Sequence, residues 1–215
     1  MINEKAVNLF KMNGFIHLKT FFSEQEVNNF LKCIEKKSWF IKNEKIDRSV
    51  DIEELWEFIC HEKMLKVIRS LIGDNISFLH TASIMSDSID PEKNDHTWHR
   101  DNPCRRPGYG PDWNTKEKYN VVSSMVYLTE SDSILNVIKK SHFINFRHSI
   151  SNILRTIDLN IRKFKKLKFL KNIIRKIIGT DIHYKSGDLV VFYANLYHAR
   201  SFSKNIKNTH RSALL

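Results

Sequence analysis

The residues with the most chemical content are His99-Arg100-Asp101, within Thr97-Trp98-His99-Arg100-Asp101. In an extended strand residues i and i+2 point to one side, so His99 and Asp101 can present an imidazole and a carboxylate to a single point while Trp98 and Arg100 face away. Such a pair can fill two positions of a metal ion. The chain has ten histidines, so a chance His-x-Asp pair is common and the motif needs a further donor to carry weight. His198 supplies one: it follows a strand expected over 188–193 after the short connection Ala194-Asn195-Leu196-Tyr197, at a strand end where sheet proteins place their sites. Two neutral imidazoles and one carboxylate on one face of an octahedron leave three positions open, the arrangement of non-haem Fe(II) sites. Zinc competes, because His₂-carboxylate sites also hold catalytic zinc.

Zinc hydrolysis needs nothing further at a fixed place, whereas an iron site using a 2-oxo acid needs a cation for the distal carboxylate. Arg211 lies thirteen residues past His198 in the β-prone stretch Thr209-His210-Arg211-Ser212-Ala213-Leu214. Its guanidinium can grip a carboxylate in bidentate fashion. Arg200 is the alternative partner.

The elements that must position these groups follow from the periodicity. Gly14 and Phe15-Ile16-His17-Leu18 read as a short strand. Ser23 with Glu26 three residues on forms a capping box, and Val27, Phe30, Leu31 and Ile34 give the helix after it an apolar face. A second helix is expected over about 52–72, with Gly73 as its stop. From Ile76 the period changes: 76–85 and 119–129 read as strands, with short apolar runs at 134–138 and, after the Ser186-Gly187-Asp188 turn, at 189–193. Short strands placed mostly after the helices argue for a mainly β fold, an antiparallel sheet structure closing as a sandwich or barrel with flanking helices.

At this point the chain resembles the phytanoyl-CoA dioxygenase family of Fe(II)/2-oxoglutarate-dependent oxygenases. The strand Asn13-Gly14-Phe15-Ile16-His17-Leu18 before Phe22-Ser23-Glu24-Gln25-Glu26-Val27 is similar to that family's opening. Trp98-His99-Arg100-Asp101 resembles its metal motif, and Ser186-Gly187-Asp188-Leu189-Val190-Val191-Phe192 through His198 resembles its second-histidine strand. The resemblance implies a double-stranded β-helix, or jelly roll, in which His99, Asp101 and His198 bind Fe(II) and Arg211 holds the distal carboxylate of 2-oxoglutarate. It further implies that O₂ is consumed, that succinate and CO₂ are released, and that an Fe(IV)-oxo species hydroxylates a substrate carbon. Halogenating relatives leave the carboxylate position vacant for halide; here Asp101 fills it, so hydroxylation is expected. The chain departs from the family pattern before His142, where Lys140-Ser141-His142 replaces a Pro-Gly-Ser-His turn, and His142 is expected to be structural.

Length and composition bound the rest. The 215 residues fit one domain, 1–215, and 41% apolar residues can form a core. Three cysteines without CxxC spacing indicate neither a disulfide framework nor a thiolate zinc site. The opening MINEKAVNLF lacks the apolar stretch of a secretory leader, and no run approaches the length of a membrane span, so a cytoplasmic protein is expected. The formal charge of +11 is concentrated in 155–176, where nine basic residues stand against Asp158 alone. With Ile157, Ile161, Phe164, Leu167 and Leu170 at helical spacing, this segment is expected to be one amphipathic basic helix, a helical insertion at about 150–180. It can lie on an anionic membrane surface, cover an acidic substrate, or be a solvated face over a buried stripe. Without a reading motif, no nucleic-acid partner is expected.

The Pro- and Gly-rich stretch 102–118 is expected to be a long loop offering Arg105, Arg106, Tyr109 and Trp113 to a substrate, or to water. Trp39 and Trp56 read as core aromatics. Histidines such as His17 and His61 have no partner at useful spacing. The favoured function is thus hydroxylation of a small, lipid-linked or glycan-type metabolite, anionic or sugar-like in character. The rival is a catalytically silent jelly-roll binding protein that docks on an anionic partner through its basic helix.

Overall fold

A computed structural model describes residues 2–35, 53–78, 84–88, 98–101, 121–161, 168–202 and 210–214. The described chain opens with helix α1 (Glu4–Asn13), strand β1 (Phe15–Leu18) and helix α2 (Glu24–Glu35), followed by α3 (Glu53–Ile59) and α4 (Glu62–Ile72). Strands β2 (Ile84–Ser88), β3 (Val122–Tyr127) and β4 (Ser133–Val137) come next, then a 3₁₀ turn at Ile144–His148. Helices α5 (Ile150–Ile161) and α6 (Lys168–Ile178) precede β5 (Thr180–Ile182), β6 (Leu189–Tyr193), β7 (His198–Phe202) and β8 (His210–Leu214).

The strands form two antiparallel sheets, one of order β1-β6-β3-β8-β2 and one of order β5-β4-β7. Strand alternation then sorts the apolar residues into three clusters. Leu189 and Val191 of β6 and Val126 of β3 point outward from the larger sheet onto α1, α2, α3 and α4, packing with Phe10, Phe22, Phe58 and Leu71. Their neighbours Val190, Phe192, Met125 and Tyr127 point the other way and meet Leu135, Val137 and Ile182 of the smaller sheet. The outer face of the smaller sheet, through Ala199, is covered by Ile161 and Ile174 of α5 and α6. Two sheets face to face with helices outside each are the expected jelly-roll architecture.

Local signals explain several joints. The capping box forms as read: the Ser23 amide donates to Glu26 Oε2 at 2.8 Å and the Glu26 amide to Ser23 Oγ at 3.3 Å. Lys63 Nζ of α4, 2.6 Å from Glu26 Oε1, and the Ser23 donors hold the Glu26 carboxyl down at about 2. Asp188 ties the chain's two ends together: its carboxylate accepts from the Thr20 amide at 2.8 Å and the Lys185 amide at 3.0 Å, and meets His17 Nε2 at 2.8 Å.

Four expectations need correction. The helix expected over 52–72 is two helices, α3 and α4, separated at Cys60 and His61, where the Cys60 amide still bonds Trp56 O but the His61 amide turns to Phe58 O. The single basic helix over 155–176 is likewise two, α5 and α6, and its residues 162–167 lie outside the described residues, as does Trp39. Trp56 is at the surface, touching Phe78 edge-on, because the apolar side of α3 is taken by Phe58. Of the strand expected over 76–85, residues 76–78 are not in a strand, 79–83 lie outside the described residues, and Ile84 and Met85 belong to β2.

Candidate metal centre

The strand order brings His99, Asp101 and His198 to one place. His99 pairs antiparallel with His198 at the start of β7, the two exchanging backbone bonds of 2.8 and 3.0 Å. The neighbours of His99 point away as the alternation requires. Trp98 is buried and its Nε1 donates to Asn136 Oδ1 at 2.7 Å, while Arg100 lies over the Tyr197 ring and donates to Ser141 O at 2.9 Å. Asn136 in turn donates to Asp181 Oδ1 at 2.6 Å, so the motif strand is anchored through β4 to β5.

On the functional side, one donor atom from each of His99, Asp101 and His198 lies within 4.8 Å of the others. His198 Nε2 is 3.1 Å and His99 Nε2 3.8 Å from Asp101 Oδ1, and the imidazole centroids are 4.4 Å apart. Donors in cis positions on an octahedral ion with bonds of about 2.1 Å stand about 3.0 Å apart, so the His198–Asp101 edge is already of coordination size.

The donor chemistry fits a cation as well. His198 Nδ1 lies 3.1 Å from the carbonyl of Leu196, which can only accept, so Nδ1 carries a proton and Nε2 is the ring nitrogen turned toward Asp101. A lone pair and a carboxylate oxygen at 3.1 Å repel unless a proton or a metal ion stands with them. Asp101 is held from behind by Ser123 Oγ, which donates to Oδ2 at 2.9 Å. Burial works to raise the Asp101 carboxyl, but His198, Ser123 and the charge of His99 outweigh it and leave it below the usual carboxylate value. The centre is open on one side: the His99 side chain is 53% exposed, whereas that of His198 is 6% exposed, packed 4.7 Å from the Phe192 ring.

The other site residues fall as follows. Arg211 lies in β8 opposite Asp87 of β2, two residues before Ala213, which is buried between the sheets. Arg200 is buried in β7 opposite Leu135 of β4. Arg105, Arg106, Tyr109 and Trp113 lie outside the described residues. His142 packs on Tyr193 at 4.9 Å and its Nε2 donates to Lys11 O at 3.1 Å. Sequence reasoning missed Ser123. The only hint was a pair of serines inside a β-branched run, and its role depends on β3, in the larger sheet, reaching the motif segment that pairs with β7 of the smaller one.

A jelly roll carrying two imidazoles and one carboxylate on an open edge defines the class of metal-dependent oxygenases with a facial triad. The family profile described as phytanoyl-CoA dioxygenase (PhyH) matches residues 10–145, and the chain belongs to that family. It is an Fe(II)- and 2-oxoglutarate-dependent oxygenase, which selects iron over zinc. Solved structures agree on the fold. HygX from Streptomyces hygroscopicus, with nickel and 2-oxoglutarate bound, superposes at a TM-score of 0.65 with 14% identity over 100% of this chain and 86% of its own. SnoK, a non-haem α-ketoglutarate-dependent carbocyclase from nogalamycin biosynthesis, gives 0.64 and 13% over 99% and 83%. AviO1 from Streptomyces viridochromogenes gives 0.61 and 12% over 98% and 91%. No curated protein sequence matches the chain. Among the described residues no helix is long and apolar enough to cross a membrane.

Proposed function

We propose that the protein hydroxylates a small metabolite, with His99, Asp101 and His198 as the iron ligands and Arg211 as the partner of the 2-oxoglutarate distal carboxylate. The observation that carries this reading is the His99–Asp101–His198 cluster, with His198 Nε2 3.1 Å from Asp101 Oδ1. When bound, Fe(II) with 2-oxoglutarate and O₂ supplies oxidation of an unactivated carbon–hydrogen bond. The chain's own residues prepare for this. The Leu196 carbonyl fixes the His198 tautomer with Nε2 free to ligate. Ser123 orients Asp101 by one oxygen, leaving Oδ1 for the ion. Asp101 occupies the position that halide takes in halogenating relatives, which favours hydroxylation. Arg211 lies in β8, whose register sets it opposite Asp87 of β2.

The substrate we infer is a small, glycan- or lipid-linked metabolite taken in the cytoplasm, with Arg105, Arg106, Tyr109 and Trp113 as its contacts and no nucleic-acid partner. HygX has been solved with hygromycin B bound and SnoN with nogalamycin RO, each a small molecule, which supports a small-molecule substrate here. The test is succinate release from 2-oxoglutarate under air, scored over a panel of aminoglycosides, nucleotide sugars and acyl-CoA or lipid-linked compounds. Stimulation by one class, abolished in Asp101→Ala and lowered in Arg105→Ala/Arg106→Ala, supports the reading. Folded, iron-loaded protein that releases no succinate above its Asp101→Ala variant favours the silent binding protein instead.

A further inference from the structure

Helix α6 has two apolar faces, and the fold uses one. Leu170, Ile174 and Ile178 pack inward with Trp98, Ile138 and Ala199 beneath the helix. Phe169, Ile173 and Ile177, at i, i+4 and i+8, form a second stripe that is 63%, 46% and 65% exposed. Three large apolar side chains in a row in water are costly for a surface that serves only as a solvated cover.

The charge of the helix says what the stripe fits. The helix contains Lys168, Lys171, Arg175 and Lys176 and no acidic residue, and the sequence before it over 162–167 is basic with no acid. Lys171 is buried and Arg175 lies over the Trp98 ring on the packed side, so among the described side chains Lys176 is the helix's exposed charge. Lys176 is exposed directly before Ile177. A second copy of the chain would bring the same positive charge to this face and be repelled. A strongly amphipathic helix with only basic charge and a projecting Phe/Ile stripe matches the requirements for lying in a lipid–water interface with anionic headgroups.

We propose that the outward stripe Phe169–Ile173–Ile177 of α6 docks the protein on an anionic lipid surface. The proposal rests on the helix and its charge and does not depend on the metal centre. Apolar side chains enter the headgroup boundary while Lys176 meets the headgroups, which presents the enzyme to a membrane without inserting a span.

The experiment is flotation of the full-length chain with vesicles of phosphatidylcholine alone and of phosphatidylcholine containing phosphatidylserine, beside a measurement of oligomeric state. The wild type is expected to bind the anionic vesicles at least about tenfold more tightly than the neutral ones, with the difference shrinking as salt rises. Lys176→Glu should weaken binding several-fold, and Ile173→Ser/Ile177→Ser should abolish it. Both residues are exposed and away from the packed face, so the thermal midpoint should not move. No binding by the wild type overturns the proposal, as does anionic binding indifferent to the Ile173→Ser/Ile177→Ser change. A dimer that dissociates in that double variant also overturns it, because the face would then belong to a second copy.

Discussion

Replacing Ser123 by alanine should weaken metal binding without unfolding the protein. Ser123 Oγ donates to Asp101 Oδ2 at 2.9 Å and is the hydroxyl of β3 that fixes how the carboxylate faces the two imidazoles. A hydrogen bond to a charged acceptor contributes about 1.5–3 kcal/mol. The Asp101 side chain is 25% exposed, so water can replace part of the lost donor and the lower end applies, about 1.5 kcal/mol. That corresponds to about a tenfold loss of affinity, at the low end of the range for groups that orient a metal ligand. The assay is anaerobic calorimetric titration of the apo-protein with Fe(II), repeated with Ni(II), for wild type, Ser123→Ala and Ser123→Thr. Threonine keeps the hydroxyl and should restore most of the affinity, while the thermal midpoint of all three apo-proteins stays close. Wild-type affinity in Ser123→Ala would refute the idea that this bond prepares Asp101 for the ion.

Other predictions follow from the framework of the site. Trp98→Phe removes the donor to Asn136 Oδ1 in a buried setting and should cost about 1–3 kcal/mol in urea unfolding; a change within about 0.5 kcal/mol, the scale of surface substitutions, contradicts the anchoring role. Burial works to raise the Asp188 carboxyl, but the Thr20 and Lys185 amides and His17 outweigh it and hold it below its ordinary value. Its stabilising effect is therefore complete above the unfolded carboxylate pKa of about 3.9 and is lost as pH falls through the lower folded value. Asp188→Asn should flatten the fall of the urea midpoint below about pH 4, and an unchanged acid limb would count against it. Gly187 sits at φ +83° with its missing Cβ aimed at the Phe22 carbonyl, so Gly187→Ala should lose about 1–3 kcal/mol from backbone strain alone in the same assay.

Much of the centre was legible because its geometry is local. The two-residue strand repeat alone puts His99 and Asp101 on one side, and the run Leu189-Val190-Val191-Phe192-Tyr193 announces the strand before His198. What stayed hidden depends on contacts far apart in sequence. His17 has no partner at useful spacing in the sequence, yet it meets Asp188, 171 residues away, across the β1–β6 pairing. Ser123 reaches Asp101 only once β3 of the larger sheet and the motif segment beside β7 of the smaller sheet are brought together. The break at Cys60 and His61 carries no glycine or proline, so the periodicity ran through it. In the basic region periodicity located the helices but not their surroundings. Helical spacing puts Ile157 and Leu170 on one stripe, whereas Ile157 is exposed and Leu170 packs inside, because α5 and α6 are separate helices with apolar residues on two sides each.

The most direct test of the central claim is an anaerobic titration of apo-protein with Fe(II) and then 2-oxoglutarate, followed by the visible charge-transfer band of the chelate. The account predicts a band that is lost in His99→Ala and weakened in Arg211→Ala, with both variants retaining the wild-type fold. A band of full strength in His99→Ala, or none in well-folded wild-type protein, would contradict it.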